Sequence, residues 1–202
     1  MAPVYKLRSL DVMGLAEPIR YLLAYGNIAY KNQEIVRGSE DWIEVQKSVP
    51  FGKLPVLEVD KKVLYQSVAI SRYLGKVVGL LPIEELEAAE LDALVLTIFE
   101  LGSKVYEWYH ELNAERKLYL QKELLEQFFP KYFADFEQFV KRNGSYFGGK
   151  KISWADLYFV GIIESVEGMW GSKILAKQYP LLFQIYRQVQ EIPAINTYIS
   201  NR

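Results

Sequence analysis

The hydropathy pattern of this chain changes character near residue 78, and that change constrains the fold more than any other feature. Before it, strand-like alternation and helical stripes take turns; after it, apolar residues recur only at steps of three and four. Tyr5-Lys6-Leu7-Arg8-Ser9 alternates, which puts Tyr5, Leu7 and Ser9 on one face of a strand. Ile19, Leu22 and Leu23 make a helical stripe over 16–25, with Pro18 in its first turn and Gly26 at its end. Tyr30 to Val36 predicts a second strand and Trp42 to Lys47 a short helical or irregular segment ending at Pro50. Val56 to Val59 and Lys62 to Tyr65 predict a hairpin turning on Asp60-Lys61. A helix over Ser67 to Val77 follows, with Val68, Ile70, Tyr73 and Leu74 as its apolar positions. The order β-α-β-α-β-β-α, crossover first and hairpin last, gives a small mixed sheet with helices on its faces.

From Glu84 onward the pattern is helical throughout. Leu86, Ala89, Ala93, Leu94, Leu101, Val105 and Trp108 form the expected core stripe of a long helix. Glu84, Glu85 and Glu87 suit its first turns, where the helix dipole favours negative charge. Leu91, Val95 and Phe99 form a further apolar set, expected to meet a second copy of the chain. A second long helix runs from Glu115 to Lys141, with a kink or break expected at Pro130 and an end at Asn143-Gly144. Ser153 and Asp156 have the spacing of a capping box ahead of a further helix. Segments 179–191 and 193–200 are also helical in pattern. The expected organisation is an α/β domain over residues 1–78 and an all-α domain over 84–202, joined by Gly79 to Ile83.

Composition removes several function classes. With 24 Lys plus Arg against 25 Asp plus Glu, the net charge of −1 gives little attraction for nucleic acid. Absence of cysteine excludes disulfides, thiolate metal sites and a cysteine nucleophile. The single histidine, His110, excludes a multi-histidine metal site. No apolar run approaches the ~18 residues of a membrane span. The opening Met1-Ala2-Pro3-Val4-Tyr5-Lys6 lacks the pattern of a secretory leader, so the expected location is the cytoplasm.

The most informative stretch is Pro50-Phe51-Gly52-Lys53-Leu54-Pro55-Val56, followed ten residues later by Gln66-Ser67. Pro55 opens a strand directly after a loop, where a cis bond is plausible and would turn the Leu54 N–H and C=O outward. Gln66-Ser67 starts a helix, whose unpaired N–H groups attract a carboxylate. Singly, these are a loop proline and a capping serine; in this order they describe a site for a short, extended, acidic peptide.

These residues also carry a resemblance. Ala16-Glu17-Pro18-Ile19-Arg20-Tyr21, Pro50 to Glu58, Gln66 to Leu74 and Trp154-Ala155-Asp156-Leu157-Tyr158 together resemble the glutathione transferases, above all their sigma class. The resemblance spans nearly the whole length. It implies a thioredoxin-like domain followed by a helical domain, a cytoplasmic homodimer, and glutathione as co-substrate. It carries glutathione contacts onto Trp42, Gly52, Lys53, Leu54, Pro55, Gln66 and Ser67. Trp42 and Lys53 would hold the glycine end, Leu54 would pair main chain with the cysteinyl unit, and Gln66 and Ser67 would take the γ-glutamyl carboxylate. Small apolar electrophiles would bind between the domains, against Met13, Gly14, Tyr106, Trp108, Tyr109 and His110. The implied reaction is conjugation of glutathione to such electrophiles. A glutathione or apolar-ligand carrier and a prostaglandin-type isomerase are the rival readings.

Several positions depart from the pattern. Ser9 stands where a tyrosine hydroxyl would donate to the glutathione sulfur, Leu15 replaces an arginine and Gln46 a lysine. Of the acidic group on the fourth helix only Glu100 remains, a candidate contact to the partner's glutathione, with Leu96 and Phe99 at the other two places; no metal is expected. A free thiol titrates near pH 8.5, and lowering it by about two units needs roughly 2.7 kcal/mol. One hydrogen bond to a charged acceptor supplies about 1.5–3 kcal/mol, but a serine oxygen lies about 4 Å nearer its own Cα than a tyrosine oxygen. Ser9 therefore either works through a loop shift or a bridging water, or is the remnant of a vacated position.

Overall fold

A computed structural model describes residues 3–175 and 178–202. Met1 and Ala2 of the expected first domain, and Ala176 and Lys177 of the second, lie outside the described residues. The chain begins with β1 (Tyr5–Leu10), a 3-10 turn (Gly14–Ala16), α1 (Glu17–Tyr25), β2 (Tyr30–Ile35) and α2 (Glu40–Ser48). The hairpin β3 (Val56–Val59) and β4 (Lys62–Tyr65) follows, then α3 (Ser67–Val77). The sheet order is β2-β1-β3-β4; β1 runs parallel to β2 and antiparallel to β3, and β3 antiparallel to β4. Tyr5, Leu7 and Ser9 are the buried face of β1, as the alternation requires. This is a thioredoxin-like domain, and the helices that follow make an all-α domain.

Those helices are α4 (Glu85–His110), α5 (Ala114–Glu123), α6 (Phe129–Asn143), α7 (Trp154–Trp170), α8 (Pro180–Gln190) and α9 (Pro193–Asn201). The expected second long helix is divided: α5 and α6 are joined by a π turn at Leu124–Phe128. Pro130, at the start of α6, has no N–H to continue the ladder, so the chain re-registers just before it. Helix α2 begins earlier than predicted, because the Ser39 hydroxyl oxygen accepts from the Trp42 N–H at 3.1 Å.

The two apolar sets of α4 exchange roles along its first half. Leu91 and Val95, expected to face a second copy, are buried in the chain's own core, and Phe99 packs against it from a partly buried position. Leu86, Ala89 and Ala93, expected in the core, are exposed. Leu94, Leu101, Val105 and Trp108 are buried as expected. Both sets satisfy helical spacing, and the side on which the rest of the chain, α7 above all, packs against α4 selects between them.

Helix α7 is the hub. Fourteen of its residues, Trp154 to Glu167, are buried. Its start is held by Asp156, whose carboxylate accepts from the Ser153 N–H at 2.7 Å, the Ser153 hydroxyl at 2.7 Å and the Phe147 N–H at 2.9 Å. Burial pushes the Asp156 carboxyl up to about 6, against these donors, which lower it. Helix α7 meets the first domain at Gly161: a Cβ there would stand 2.7 Å from Pro18 N and 2.9 Å from Pro18 Cα. Trp154 closes a second junction, its side chain packing over Gly75 of α3 and its main-chain N–H donating to the Leu80 carbonyl at 3.1 Å.

Candidate active site

The loop between α2 and β3 and the start of α3 supply the residues expected to hold glutathione. Ile35, Val45, Val49 and Val56 form a small apolar cluster, and Trp42 and Leu54 both pack on it, half-buried. One patch thus fixes two candidate contacts that stand twelve positions apart. The Leu54–Pro55 bond is cis, and β3 begins at the next residue. Gly52 has a φ of 62°, which suits glycine, and a Cβ there would lie 3.3 Å from the Gln46 carbonyl oxygen. Lys53 is exposed beside it.

Gln66 precedes α3 with φ 68° and ψ 115°, a left-handed backbone on a side chain other than glycine. Such strain of about 1–3 kcal/mol persists where the surrounding structure imposes it, and it gathers at binding sites. The Gln66 side chain makes no capping bond. The first turn of α3 is left with N–H donors and the positive end of its dipole. Ser67 is 2% exposed, and its Oγ lies 3.5 Å from the Tyr158 hydroxyl of α7. Burial raises the Tyr158 phenol above its ordinary range, so it stays a neutral hydroxyl. Sequence reasoning missed Tyr158 as a neighbour of Ser67, although it ends one of the strings that carried the resemblance.

Ser9 occupies the end of β1 and is 1% exposed. Its Oγ accepts from Arg20 Nη2 at 2.7 Å. Arg20, itself buried, also donates to Glu17 at 3.1 Å, to Glu34 at 3.3 Å and to the Val12 and Met13 carbonyls at 3.3 and 3.4 Å. Glu17 is fully buried and accepts in addition from Tyr198 and Arg202 of the C-terminal segment. Arg202 further donates to Glu164 of α7 at 3.0 Å, and Tyr21 donates to that same carboxylate. Ser9 therefore belongs to a buried polar network that ties α1 to α7 and α9.

The expected acceptor residues fall into two groups. Met13 and Gly14 lie against α7: the Ser165 hydroxyl donates to the Gly14 carbonyl at 3.0 Å, and Gly168 faces Met13 Cε. Met13 lines two depressions, one of about 770 Å³ with Asp11, Arg20 and Glu34, and one of about 360 Å³ with Glu164, Glu167 and Lys173. Tyr106, Trp108, Tyr109 and His110 gather at the end of α4, with the Tyr106 and His110 rings 4.2 Å apart. Trp108 is buried against Trp170, the last residue of α7, at 4.4 Å, so α7 carries both groups. Arg37, between β2 and α2, reaches over and donates to the Tyr106 hydroxyl at 3.0 Å; no motif in the sequence marks it. His110 is held below its usual range, first by burial and then by the charges of Arg37 and Lys117. Glu100 points along α4 toward Lys104 at 4.0 Å and pairs with the Tyr132 phenol of α6. That phenol is pushed up to about 12 by its own burial and by Glu100.

Comparison with known proteins shows the family and the fold. The glutathione S-transferase N-terminal domain is recognised over residues 6–76 and the C-terminal domain over residues 100–202. Glutathione S-transferase S1 of Drosophila melanogaster is 34% identical over 98% of this chain and 78% of its own length. Hematopoietic prostaglandin D synthase of Rattus norvegicus is 36% identical over 99% of this chain and 97% of its own. The solved structure of prostaglandin synthase D of Nilaparvata lugens superposes with a TM-score of 0.92 at 36% identity, covering 99% of this chain and 98% of that one. The chain belongs to the glutathione S-transferase family. It is an enzyme of that family, with glutathione as the co-substrate that the family uses.

Proposed function

We propose that the protein is a cytoplasmic, homodimeric glutathione transferase of the sigma class that conjugates glutathione to small apolar electrophiles in detoxification. The reading keeps the boundaries 1–78 and 84–202, the first part binding glutathione and the second completing the acceptor pocket. The carrying observation is the pairing of Trp42 and Leu54 on one apolar cluster, with Lys53 beside them and the uncapped start of α3 at Gln66-Ser67. A cation and a row of helix N–H donors suit the two carboxylates of an extended tripeptide. Ser9 is assigned to the Arg20 network rather than to the sulfur, because its oxygen is buried and already accepts a charged hydrogen bond. Native turnover is then low, since Ser9, committed to Arg20 and shorter in reach than a tyrosine, leaves the thiol without its donor. Dimerisation is assigned to the exposed Leu86, Ala89, Ala93 and Leu96 of α4, with Phe51, 79% exposed, as a second apolar contact.

Calorimetric titration with glutathione, beside a conjugation assay with 1-chloro-2,4-dinitrobenzene, tests the reading. Binding in the micromolar-to-millimolar range, about 4–8 kcal/mol, is expected, weakened in Ser67→Ala. No heat at millimolar glutathione rejects it. A prostaglandin-type isomerase is the second reading, favoured by the 0.92 TM-score to prostaglandin synthase D of Nilaparvata lugens. Product analysis with a prostaglandin endoperoxide separates the two.

A further inference from the structure

The mouth of the acceptor region carries an unbalanced positive charge. Among the described residues, Arg8, Arg20, Arg72, Arg116, Arg187 and Arg202 each contact a carboxylate within 4.0 Å. Arg37 and Arg142 do not: Arg142 lies over the Phe139 ring of its own helix, whereas the hydrogen-bond partner of Arg37 is the neutral hydroxyl of Tyr106, between the β2–α2 connection and α4. Lys117 of α5 is a further cation without a carboxylate. Its ammonium donates to the Tyr109 carbonyl at 2.9 Å and the Glu111 carbonyl at 3.5 Å, and stands 5.5 Å from the Trp108 ring centre. The nearby acids Glu107 and Glu111 are both taken by Arg116, at 3.0 and 2.9 Å. His110, at a helix C-terminus that would favour its cation, is instead held toward the neutral form by burial and by these two charges. The remaining surface there is aromatic: Tyr106 and Tyr109 are 45% and 46% exposed.

We propose that Arg37 is a specificity-determining residue that selects acceptors bearing a carboxylate at the end of an apolar body. The phenol of Tyr106 holds the guanidinium in place in the free enzyme and gives way to the incoming carboxylate, which offers a stronger, charge-assisted and bidentate partner. The apolar body lies on the exposed Tyr106 and Tyr109 rings. This rests on the transferase reading and names the class of its second substrate: amphipathic organic acids with an electrophilic carbon.

The test uses ethacrynic acid and its methyl ester, which share one enone and differ by one charge. In either, the glutathione sulfur bonds to the terminal alkene carbon and the thiol proton ends on the adjacent carbon, so no oxidant or leaving group is involved. The chain has no cysteine that the enone could alkylate. In Arg37→Gln, KM for the acid is expected to rise about tenfold or more, the loss of a charged hydrogen bond, while KM for the ester and for glutathione stays unchanged. Arg37→Lys recovers part of the loss, and Tyr106→Phe leaves KM for the acid equal or lower. Equal changes for acid and ester, or a rise in KM for glutathione alone, overturn the proposal; the second outcome gives Arg37 to a glutathione carboxylate. If neither acceptor turns over, quenching of tryptophan fluorescence measures their binding directly. A preference for the acid that Arg37→Gln abolishes then supports the proposal while the transferase reading fails. Equal binding of acid and ester rejects the proposal on its own.

Discussion

The guanidinium of Arg20 donates to the hydroxyl oxygen of Ser9 across 2.7 Å, and both side chains are shut away from solvent. Sequence position alone leaves that hydroxyl open to either of two roles. In the fold, it is one of several acceptors that satisfy a buried guanidinium, whose charge Glu17 and Glu34 balance. Burial of an arginine is tolerated only with such partners.

Ser9→Ala is therefore expected to act on stability rather than on turnover. Chemical denaturation should register a loss of about 1.5 kcal/mol, the low end for a hydrogen bond to a charged group, since Nη2 keeps Glu34. Conjugation rates should hold within about twofold. Ser9→Tyr should raise turnover by restoring a donor with longer reach. Ultraviolet absorption of bound glutathione thiolate across pH is the direct readout. A thiol pKa already lowered in the native protein, and lost in Ser9→Ala, would make Ser9 the activating residue.

Asp156 should give stability an acid-side signature. Its carboxyl is raised to about 6 by complete burial, so the folded chain holds that proton more tightly than the unfolded chain does. The contribution is fully present below about pH 4, the unfolded value, and is lost as pH rises through about 6. The stability difference between the native protein and Asp156→Asn should shrink across that window. A difference flat from pH 4 to 7 contradicts it. Asp156→Ala should cost about 2–5 kcal/mol on the acid side of this window, because three donors lose one acceptor, and less as pH rises through about 6.

Gly161→Ala forces a Cβ into the Pro18 backbone at 2.7–2.9 Å, where no flexible side chain can move aside. The expected cost is about 1–3 kcal/mol of overpacking, read as a lower melting temperature. Because the clash parts α1 from α7, glutathione affinity should also fall as Ser67 and Tyr158 separate. An alanine variant as stable as the native chain would mean that the two helices part freely.

Leu96→Asp tests assembly without touching the core, since Leu96 is 56% exposed. Light scattering of the native protein should give twice the 23.4 kDa chain mass at micromolar concentration, and the variant should give the chain mass with its helical circular dichroism intact. A native protein that already scatters as a single chain removes the dimer.

Local chemistry determined much of this protein from sequence alone. Alternation in Tyr5 to Ser9, the turn at Asp60-Lys61 and the helix beginning at Ser67 rest on backbone periods and on neighbours a few positions away. So does the capping relation of Ser153 and Asp156. The string from Pro50 to Val56 with Gln66-Ser67 was legible as a candidate site because its order along the chain is itself the signal. Three matters were decided only in three dimensions. Leu86 and Leu91 of α4 are equally apolar, and which one is buried depends on the side from which α7 packs. Ser9 received its partner from Arg20, eleven residues on, because α1 folds back over the buried face of the sheet. Arg37 met Tyr106 sixty-nine residues away, across a gap that exists only once the two domains are docked. Periodicity records which faces are apolar, but packing between elements distant in sequence decides what each face meets.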